Sequence, residues 1–525
     1  MKNVSQVIMM LLASILVVGC GTTKSSLVNQ PTTLKPKSIV ILYENDVHCD
    51  IDGYAQLRGL ADAIQKSDTS YVGIVSNGDF LQGALAGAIS RGQFIVDIMK
   101  NVGYDAITLG NHEFDYGTPR MVELLPQIGV PIVSSNLYEY GASTPMYPPY
   151  VIKQYGNKRI AFVGTTTPET LRSESYAFFE KTGKQLYDLH TSQVYQLVQE
   201  AAEKARAEGA DYVVVLSHLG ESGSEEGVTS HGLVSATRGI NAVLDGHTHA
   251  VIPGDYLVNL DGQKVPVSQT GTQFANIGKL WISPNGQFVT SLVNRTDNPY
   301  SNVRVAASTD SIKALLNQVT SKKLATVAFD LPVKDNNSVW MVRREETAMG
   351  NLVADAFRSK MKAQIGLING GGLRNDIKAG SVNYGHAVSV QPFDNRVCMI
   401  EATGQQIMDM LIKCTANCPG LDGSFPQVSG MKYIIHTASH TVTDVQVENT
   451  QGKYEPLELT KKYTIATTDY YENGGFYYVL KDCRLVESGD QLSRDVLADY
   501  LEKDLKGIVG DDYRTVQGRI TIVND

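Results

Sequence analysis

The sequence predicts an α/β protein built from two successive regions. From about residue 38 to 300, short β-rich apolar runs alternate with segments of helical periodicity. After one helical stretch, alternation of the same kind restarts near Val327. Such a pattern packs helices on the faces of central sheets. At 525 residues, with 42% hydrophobic and 19% charged side chains, the chain can bury more than one core. The boundaries read as 38–308 for the first region, 309–326 for a joining helix and 327–525 for the second region.

The elements follow in order. Ser38 to Tyr43 reads as a buried strand and Tyr54 to Gln65 as a helix. Tyr71 to Ser76 is a strand, Phe94 to Asn101 a helix, Tyr104 to Leu109 a strand and Pro119 to Gln127 a helix. Arg159 to Val163 and Tyr212 to Leu216 are strands that flank a helix at Val194 to Ala207. Ala242 to Leu244 is a short apolar run. Ser311 to Leu324 reads as one helix and Leu352 to Lys362 as another, and Gly518 to Asp525 as a last short strand with a polar end.

The first residues read as a targeting segment. Lys2 supplies a positive start, Val7 to Val18 is apolar except for Ser14, and Val17-Val18-Gly19-Cys20 looks like a bacterial lipobox. That assigns 1–19 to a lipoprotein signal peptide and 20–37 to a flexible Ser-, Thr-, Lys- and Pro-rich tether. The protein would then be exported, periplasmic or at the cell surface, and held to a membrane only through a lipid on Cys20. The net charge of −9 argues against a nucleic-acid polymer as partner, because phosphate-backbone affinity needs clustered Lys and Arg. If Cys20 is lipidated, five of the six Cys remain, an odd number that cannot complete a disulfide framework. Cys414 and Cys418 are near enough in sequence to pair, or they are ordinary buried thiols.

Five polar clusters fall at strand ends of the first region. Asp46-Val47-His48 follows the first strand and Gly78-Asp79 the second. Gly110-Asn111-His112-Glu113-Phe114-Asp115 follows the third. Ser217-His218 and Gly246-His247-Thr248-His249 come later. A lone Asp-x-His or His-x-His is weak and is usually a solvated turn. Five of the ten His residues, however, sit in this ordered series, and the other five (His190, His231, His386, His436 and His440) read as ordinary. Ligands of open α/β sheets collect outside strand ends, so the clusters are expected to converge. Their carboxylates, imidazoles and amide suit divalent zinc, manganese, cobalt or iron(II), and one shared Asp would permit a two-metal site.

This series resembles the calcineurin-like metallophosphoesterases. Gly110 to Asp115 resembles the form found in their 5′-nucleotidase and UDP-sugar hydrolase branch. The second region is similar to that branch too, at Arg343-Arg344-Glu345-Glu346-Thr347-Ala348-Met349-Gly350-Asn351-Leu352 and at Asn369-Gly370-Gly371-Gly372-Leu373-Arg374. The resemblance covers about residues 38 to 520. It implies a four-layered catalytic domain followed by a smaller α/β substrate domain.

The resemblance also implies roles. Asp46, His48 and His249 would hold one divalent ion, Asn111, His218 and His247 a second, and Asp79 would bridge the two. His112, oriented by Asp115, would stabilise the transferring phosphoryl group or protonate the leaving oxygen. Arg343, Asn369 and Arg374 would grip phosphate, with Gly371 and Gly372 admitting the ligand close to the backbone. Phe393 and Tyr470 resemble the two aromatic walls around a nucleobase, although for either ring core packing is a serious rival. Two positions depart from the family pattern. Cys49 stands where a Gly is usual, and Phe476 stands where many relatives place an Asp that contacts ribose. The implied activity is hydrolysis of nucleoside 5′-monophosphates or another phosphomonoester. Rivals are 2′,3′-cyclic nucleotide or UDP-sugar hydrolysis and, from another class, a non-catalytic lipoprotein that captures nucleotides or metal.

Overall fold

Ser38–Glu44 is buried at six of its seven positions, as expected of a strand covered on both faces. It pairs in parallel with Ser70–Ser76, from Ser38 opposite Ser70 to Glu44 opposite Ser76. These strands lie in a computed structural model that describes residues 37–180, 182–222, 227–472 and 478–524. Cys20, the targeting segment and Phe476 lie outside the described residues. From Lys37 onward the chain forms one compact unit.

The first sheet runs Phe288–Asn294, Asn276–Ile282, Ser38–Glu44, Ser70–Ser76, Ala106–Ile107. The second runs Val251–Val258, Lys264–Thr270, Ala242–Leu244, Tyr212–His218, Lys158–Thr166, Tyr150–Tyr155. Side-chain alternation divides each strand between two cores. Ile39, Ile41 and Tyr43 meet Ile160, Phe162, Val214 and Leu216 between the sheets. Val40 and Leu42 face the other way, onto Leu57, Ile95 and Val96 of the helices Tyr54–Lys66 and Gln93–Val102. On the far side, Val213 and Val215 pack on Val194, Val198 and Ala201 of the helix Val194–Ala207. The result is four layers, helix, sheet, sheet, helix.

The later residues form a separate five-stranded sheet, in the order Pro426–Ser429, Ile365–Asn369, Lys462–Thr468, Val397–Thr403, Arg484–Glu487. Helix Ala348–Met361 covers one face through Leu352, Val353 and Phe357. Helix Gly404–Thr415 covers the other through Ile407, Met410 and Leu411.

Two elements differ from the sequence reading. The strand placed at Tyr104 to Leu109 pairs only over Ala106–Ile107, because its end turns away into the site loop. The helix placed at Ser311 to Leu324 runs Val303–Thr320. Asn302 caps its start by accepting a hydrogen bond from Val305 N. Lys323–Val327 is instead a strand, recruited by antiparallel pairing with Gly380–Asn383. Cys414 and Cys418 are both free and buried.

Candidate metal centre and substrate cavity

Parallel strands bring their C-terminal ends to one side, and the five polar clusters lie there. Asp46 and His48 follow Ser38–Glu44, Asp79 follows Ser70–Ser76, and Asn111 follows Ala106–Ile107. His218 ends Tyr212–His218, while His247 and His249 follow Ala242–Leu244. The structure gathers donor atoms of Asp46, His48 and His249 within 4.8 Å of one another, and does the same for Asp46, Asp79 and His218. Nε2 of His48 lies 3.0 Å from Nε2 of His249. Nδ1 of His247 lies 3.1 Å from Oδ1 of Asn111.

The backbone is bent to make this possible. Asp46, His48, Asp79, His247 and His249 all have left-handed φ, at 51°, 43°, 61°, 84° and 59°. Non-glycine residues rarely adopt that region, and such strain concentrates at functional sites. Cys49 also has φ of 60°, a conformation that Gly adopts without strain. Its buried thiol donates to the Phe80 carbonyl at 3.2 Å.

The donors fit a divalent cation. Nδ1 of His48 faces the Gln82 carbonyl at 3.2 Å, and Nδ1 of His218 faces the Asn77 carbonyl at 2.7 Å. A carbonyl only accepts, so the neutral rings carry their proton on Nδ1 and turn the Nε2 lone pair inward. Asp46 Oδ1 and His218 Nε2 are buried with no hydrogen-bond partner among the described residues. Buried polar atoms of this kind need a partner, and a cation supplies one for both. Burial opposes a charged His218, yet Asp79 and Asp46 push its pKa up to about 10. Burial pulls His48 down to about 3. The field at the centre is strongly negative.

Glu113 ties the loops together. Its buried carboxylate accepts from the backbone N–H groups of Asp79 at 2.7 Å, Phe80 at 2.7 Å, Leu81 at 3.1 Å and Gly110 at 2.6 Å. A Cβ on Gly110 would come 2.1 Å from Asp79 Oδ1, so only Gly lets the third loop close on the second.

His112 stands at the rim. Its Nδ1 lies 2.9 Å from Asp115 Oδ2, and its backbone N–H donates to Asp79 Oδ1 at 2.8 Å. The buried Glu174 joins His112 and Asp115, with side-chain polar atoms of all three within 4.8 Å. Burial drives both carboxyls well above the usual range, so the pair favours holding a proton. Tyr176 donates to Glu174 Oε2 at 3.0 Å and to the Asp115 carbonyl at 2.9 Å.

Facing this rim is a cavity of about 390 Å³, within the range of small-ligand sites. Its wall includes Asn111, His112, Asp115 and His247 from the metal side, and Arg343, Asn369, Gly371, Gly372, Arg374, Phe393 and Tyr470 from the later residues. All seven substrate residues expected from the sequence therefore meet the expected metal loops in one space. Burial, then Arg374, weakens the hold of Arg343 on its proton, and Arg343 Nε has no hydrogen-bond partner among the described residues. Asn369 is fixed by Tyr471, whose hydroxyl meets both its backbone N and its Oδ1. A Cβ on Gly370 would strike the Val342 carbonyl at 2.1 Å, so this Gly seats the loop against the helical turn Met341–Arg343. The Arg374 guanidinium lies 5.8 Å from the Phe393 ring centre. The Tyr470 hydroxyl donates to the Ser173 carbonyl at 3.0 Å.

Several cavity residues escaped the sequence reading. Glu169, Arg172, Glu174 and Tyr176 come from the segment after Lys158–Thr166. Trp340 presents its ring to Lys334, Arg343 and Arg374 at 4.0, 4.8 and 5.7 Å. None of them lies in a spaced motif. The only signal was position, just beyond the end of a buried strand.

Comparison with known proteins agrees with this geometry. Residues 39–251 match the family model described as calcineurin-like phosphoesterase, and residues 321–482 match that of the 5′-nucleotidase C-terminal domain. The chain is 24% identical over 515 residues to the trifunctional nucleotide phosphoesterase protein YfkN of Bacillus subtilis, covering 89% of this chain and 34% of that protein. It thus spans about a third of that relative's length. Over 553 residues it is 26% identical to the 5′-nucleotidase of Rattus norvegicus, covering 93% of this chain and 91% of the relative. The solved structure of a 5′-nucleotidase precursor from Thermus thermophilus shares the fold, with a TM-score of 0.77 at 24% identity over 93% of this chain and 100% of that one.

Proposed function

Because the chain belongs to the 5′-nucleotidase family of calcineurin-like metallophosphoesterases, we propose that it releases phosphate from nucleoside 5′-monophosphates. It is a metal-dependent phosphoester hydrolase. The observation that supports the nucleotide is the shared cavity, where two arginines, two aromatic rings and the metal-side loops converge.

Asp46, His48 and His249 would hold one cation, Asn111, His218 and His247 would hold the other, and Asp79 would serve both. When bound, the two cations supply the positive charge that activates a water and neutralises the phosphoryl oxygens. The metal could be zinc, manganese, cobalt or iron(II), all of which accept this donor set. Arg343 and Arg374 bind the phosphate through planar donor forks. Asn369 orients it, with Gly371 and Gly372 opening the backbone to it. His112 delivers a proton to the leaving oxygen or steadies the developing charge, and Asp115 holds its ring in register. Phe393 and Tyr470 stack on the base, a mode that tolerates any base. The Phe476 side chain cannot accept a hydrogen bond from a ribose hydroxyl, so ribose and deoxyribose monophosphates are turned over alike.

The division of labour places catalysis in 38–308 and substrate capture in 327–525, joined through 309–326. A lipid on Cys20 anchors the exported enzyme to a bacterial membrane. In this reading Cys20→Ser releases the protein from the membrane fraction, and an unchanged mature mass and fractionation would contradict it. The function itself is tested by a chromatographic screen that follows loss of substrate as well as release of phosphate, since opening a cyclic nucleotide or cleaving a UDP-sugar frees no inorganic phosphate. Substrates are nucleoside monophosphates, 2′,3′-cyclic nucleotides and UDP-sugars, each with manganese, zinc and cobalt. Highest kcat/KM on 5′-monophosphates is the expected result. Preference for a cyclic or sugar nucleotide moves the assignment to that rival, and no turnover of any of them leaves only capture.

A further inference from the structure

We propose that Glu169 is a positioning residue for His247, fixing the tautomer that the second cation site requires and so setting the affinity of that site alone. This rests on the reading of Asn111 and His247 as ligands.

The imidazoles of the cluster are not all mounted the same way. His48 and His218 give Nδ1 to backbone carbonyls, at 3.2 and 2.7 Å, and point Nε2 inward. His247 is reversed. Its Nδ1 faces Asn111 Oδ1 at 3.1 Å, and its Nε2 faces Glu169 Oε2 at 3.1 Å. A carboxylate only accepts hydrogen bonds, so the contact with Glu169 requires the proton on Nε2. In the neutral ring, the form that can ligate a metal, the Nδ1 lone pair is then left beside the Asn111 oxygen. Two acceptors that close repel one another unless they share a cation.

Glu169 is itself held in place. Arg172 Nη2 donates to Glu169 Oε1 at 3.0 Å, leaving Oε2 for the imidazole. The Glu169 carbonyl accepts from Arg172 N at 2.9 Å and Ser173 N at 3.0 Å, which fixes the start of the short helix Thr170–Ser173. A carboxylate behind a ligating imidazole orients the ring and raises its basicity, and losing one typically costs ten- to a hundredfold in metal affinity. Among the described residues Glu169 contacts the His247 ring and no other imidazole of the cluster, so its effect should be confined to one of the two sites.

The test is titration of the metal-free full-length protein with manganese(II). Calorimetry and metal analysis would report stoichiometry, and circular dichroism would report the fold. Wild type should bind two ions. Glu169→Ala should bind one as wild type does and the other about ten- to a hundredfold more weakly. Glu169→Gln, whose amide oxygen still accepts from Nε2, should fall between them. Isotherms of Glu169→Ala that superimpose on wild type overturn the inference. So does equal weakening of both sites with a lowered melting temperature, which would mean a merely structural role. If Glu169→Ala does not fold, the Gln variant decides on the same criteria. His247→Ala separates the two levels of the argument. If it retains both sites, the ligand reading itself is wrong. If it loses one site while Glu169→Ala loses none, only the role of Glu169 fails.

Discussion

The two walls of the cavity are electrostatic opposites, and they are built differently. The metal wall is a set of carboxylates and imidazoles, most of them on strained turns, in which Asp46 Oδ1 and His218 Nε2 are buried without a hydrogen bond among the described residues and face only ion-pair partners. The substrate wall carries Arg343 and Arg374, both half-buried, on loops that are not strained in this way. Each wall presents a charge that burial penalises. One awaits cations and the other an anion, and a metal-bound phosphate ester satisfies both. Strain belongs on the metal wall because cation ligands must converge within a few ångströms, whereas arginine forks reach on long side chains.

The largest expected effect tests whether the metal wall acts as a unit. Asp79 lies 3.8 Å from His48 Nε2 and 3.1 Å from His218 Nε2, between the two donor groups. Asp79→Ala should therefore lose both ions and all measurable turnover, as read by metal analysis and phosphate release. Retention of one full-affinity ion would show two independent sites. Next, His112→Ala removes a group that stands at the rim rather than among the ligands. Metal content should stay near two ions while kcat falls about a hundredfold or more. Near-normal kcat at saturating substrate would remove His112 from the chemistry.

On the substrate wall, Tyr470→Ala should weaken nucleotides about 5- to 150-fold, the range given by about 1–3 kcal/mol of base stacking. An aryl phosphate gripped by the arginines should change little. Equal loss on both substrates would return Tyr470 to packing, through its contact with Ser173. The smallest effect serves as a control, at a site where the charge already has its partners. Glu401 is held down to about 2, first by hydrogen bonds from Arg484 and then from Lys462. A folded pKa below the ordinary 4.5 means that this stabilisation is present above 4.5 and is lost as pH falls through about 2. Glu401→Gln should lower the melting temperature slightly at pH 7 and not at all near pH 2, with the difference shrinking in salt. A larger shift than that of any cavity variant would overturn the contrast between satisfied and unsatisfied charge.

Much of this was legible before folding. Periodicity located the helix Val194–Ala207 at its observed bounds and the strands that begin at Ser38 and Tyr212 within a residue or two. Those elements are buried on defined faces, and burial writes itself into residue pattern. Pattern failed where pairing or capping decided instead. Lys323–Val327 looks helical and is a strand only because Gly380–Asn383 lies beside it. Asp46, His48, Asp79, Asn111, His218, His247 and His249, the proposed ligands, stood out because metal-ligand chemistry calls for particular residue types at strand ends, and the structure places them on one side of the sheets. Glu169, Glu174 and Trp340 were not, since a single carboxylate or ring in a connecting segment has no periodicity and no spaced companion.

By itself, then, the sequence determined the α/β class, the four-layer expectation through family resemblance, and the identity of the residues around both charged walls. Only the tertiary structure decided that these walls share one cavity and that Glu113 ties the second loop to the third. It also decided that His247 faces its site through the opposite nitrogen from His48 and His218. The reason is physical. Residue type and local period are properties of short segments. Which atom of a ring meets which oxygen is set by contacts between segments far apart in the chain, such as His218 Nδ1 with the Asn77 carbonyl across 141 positions, and no local pattern encodes them.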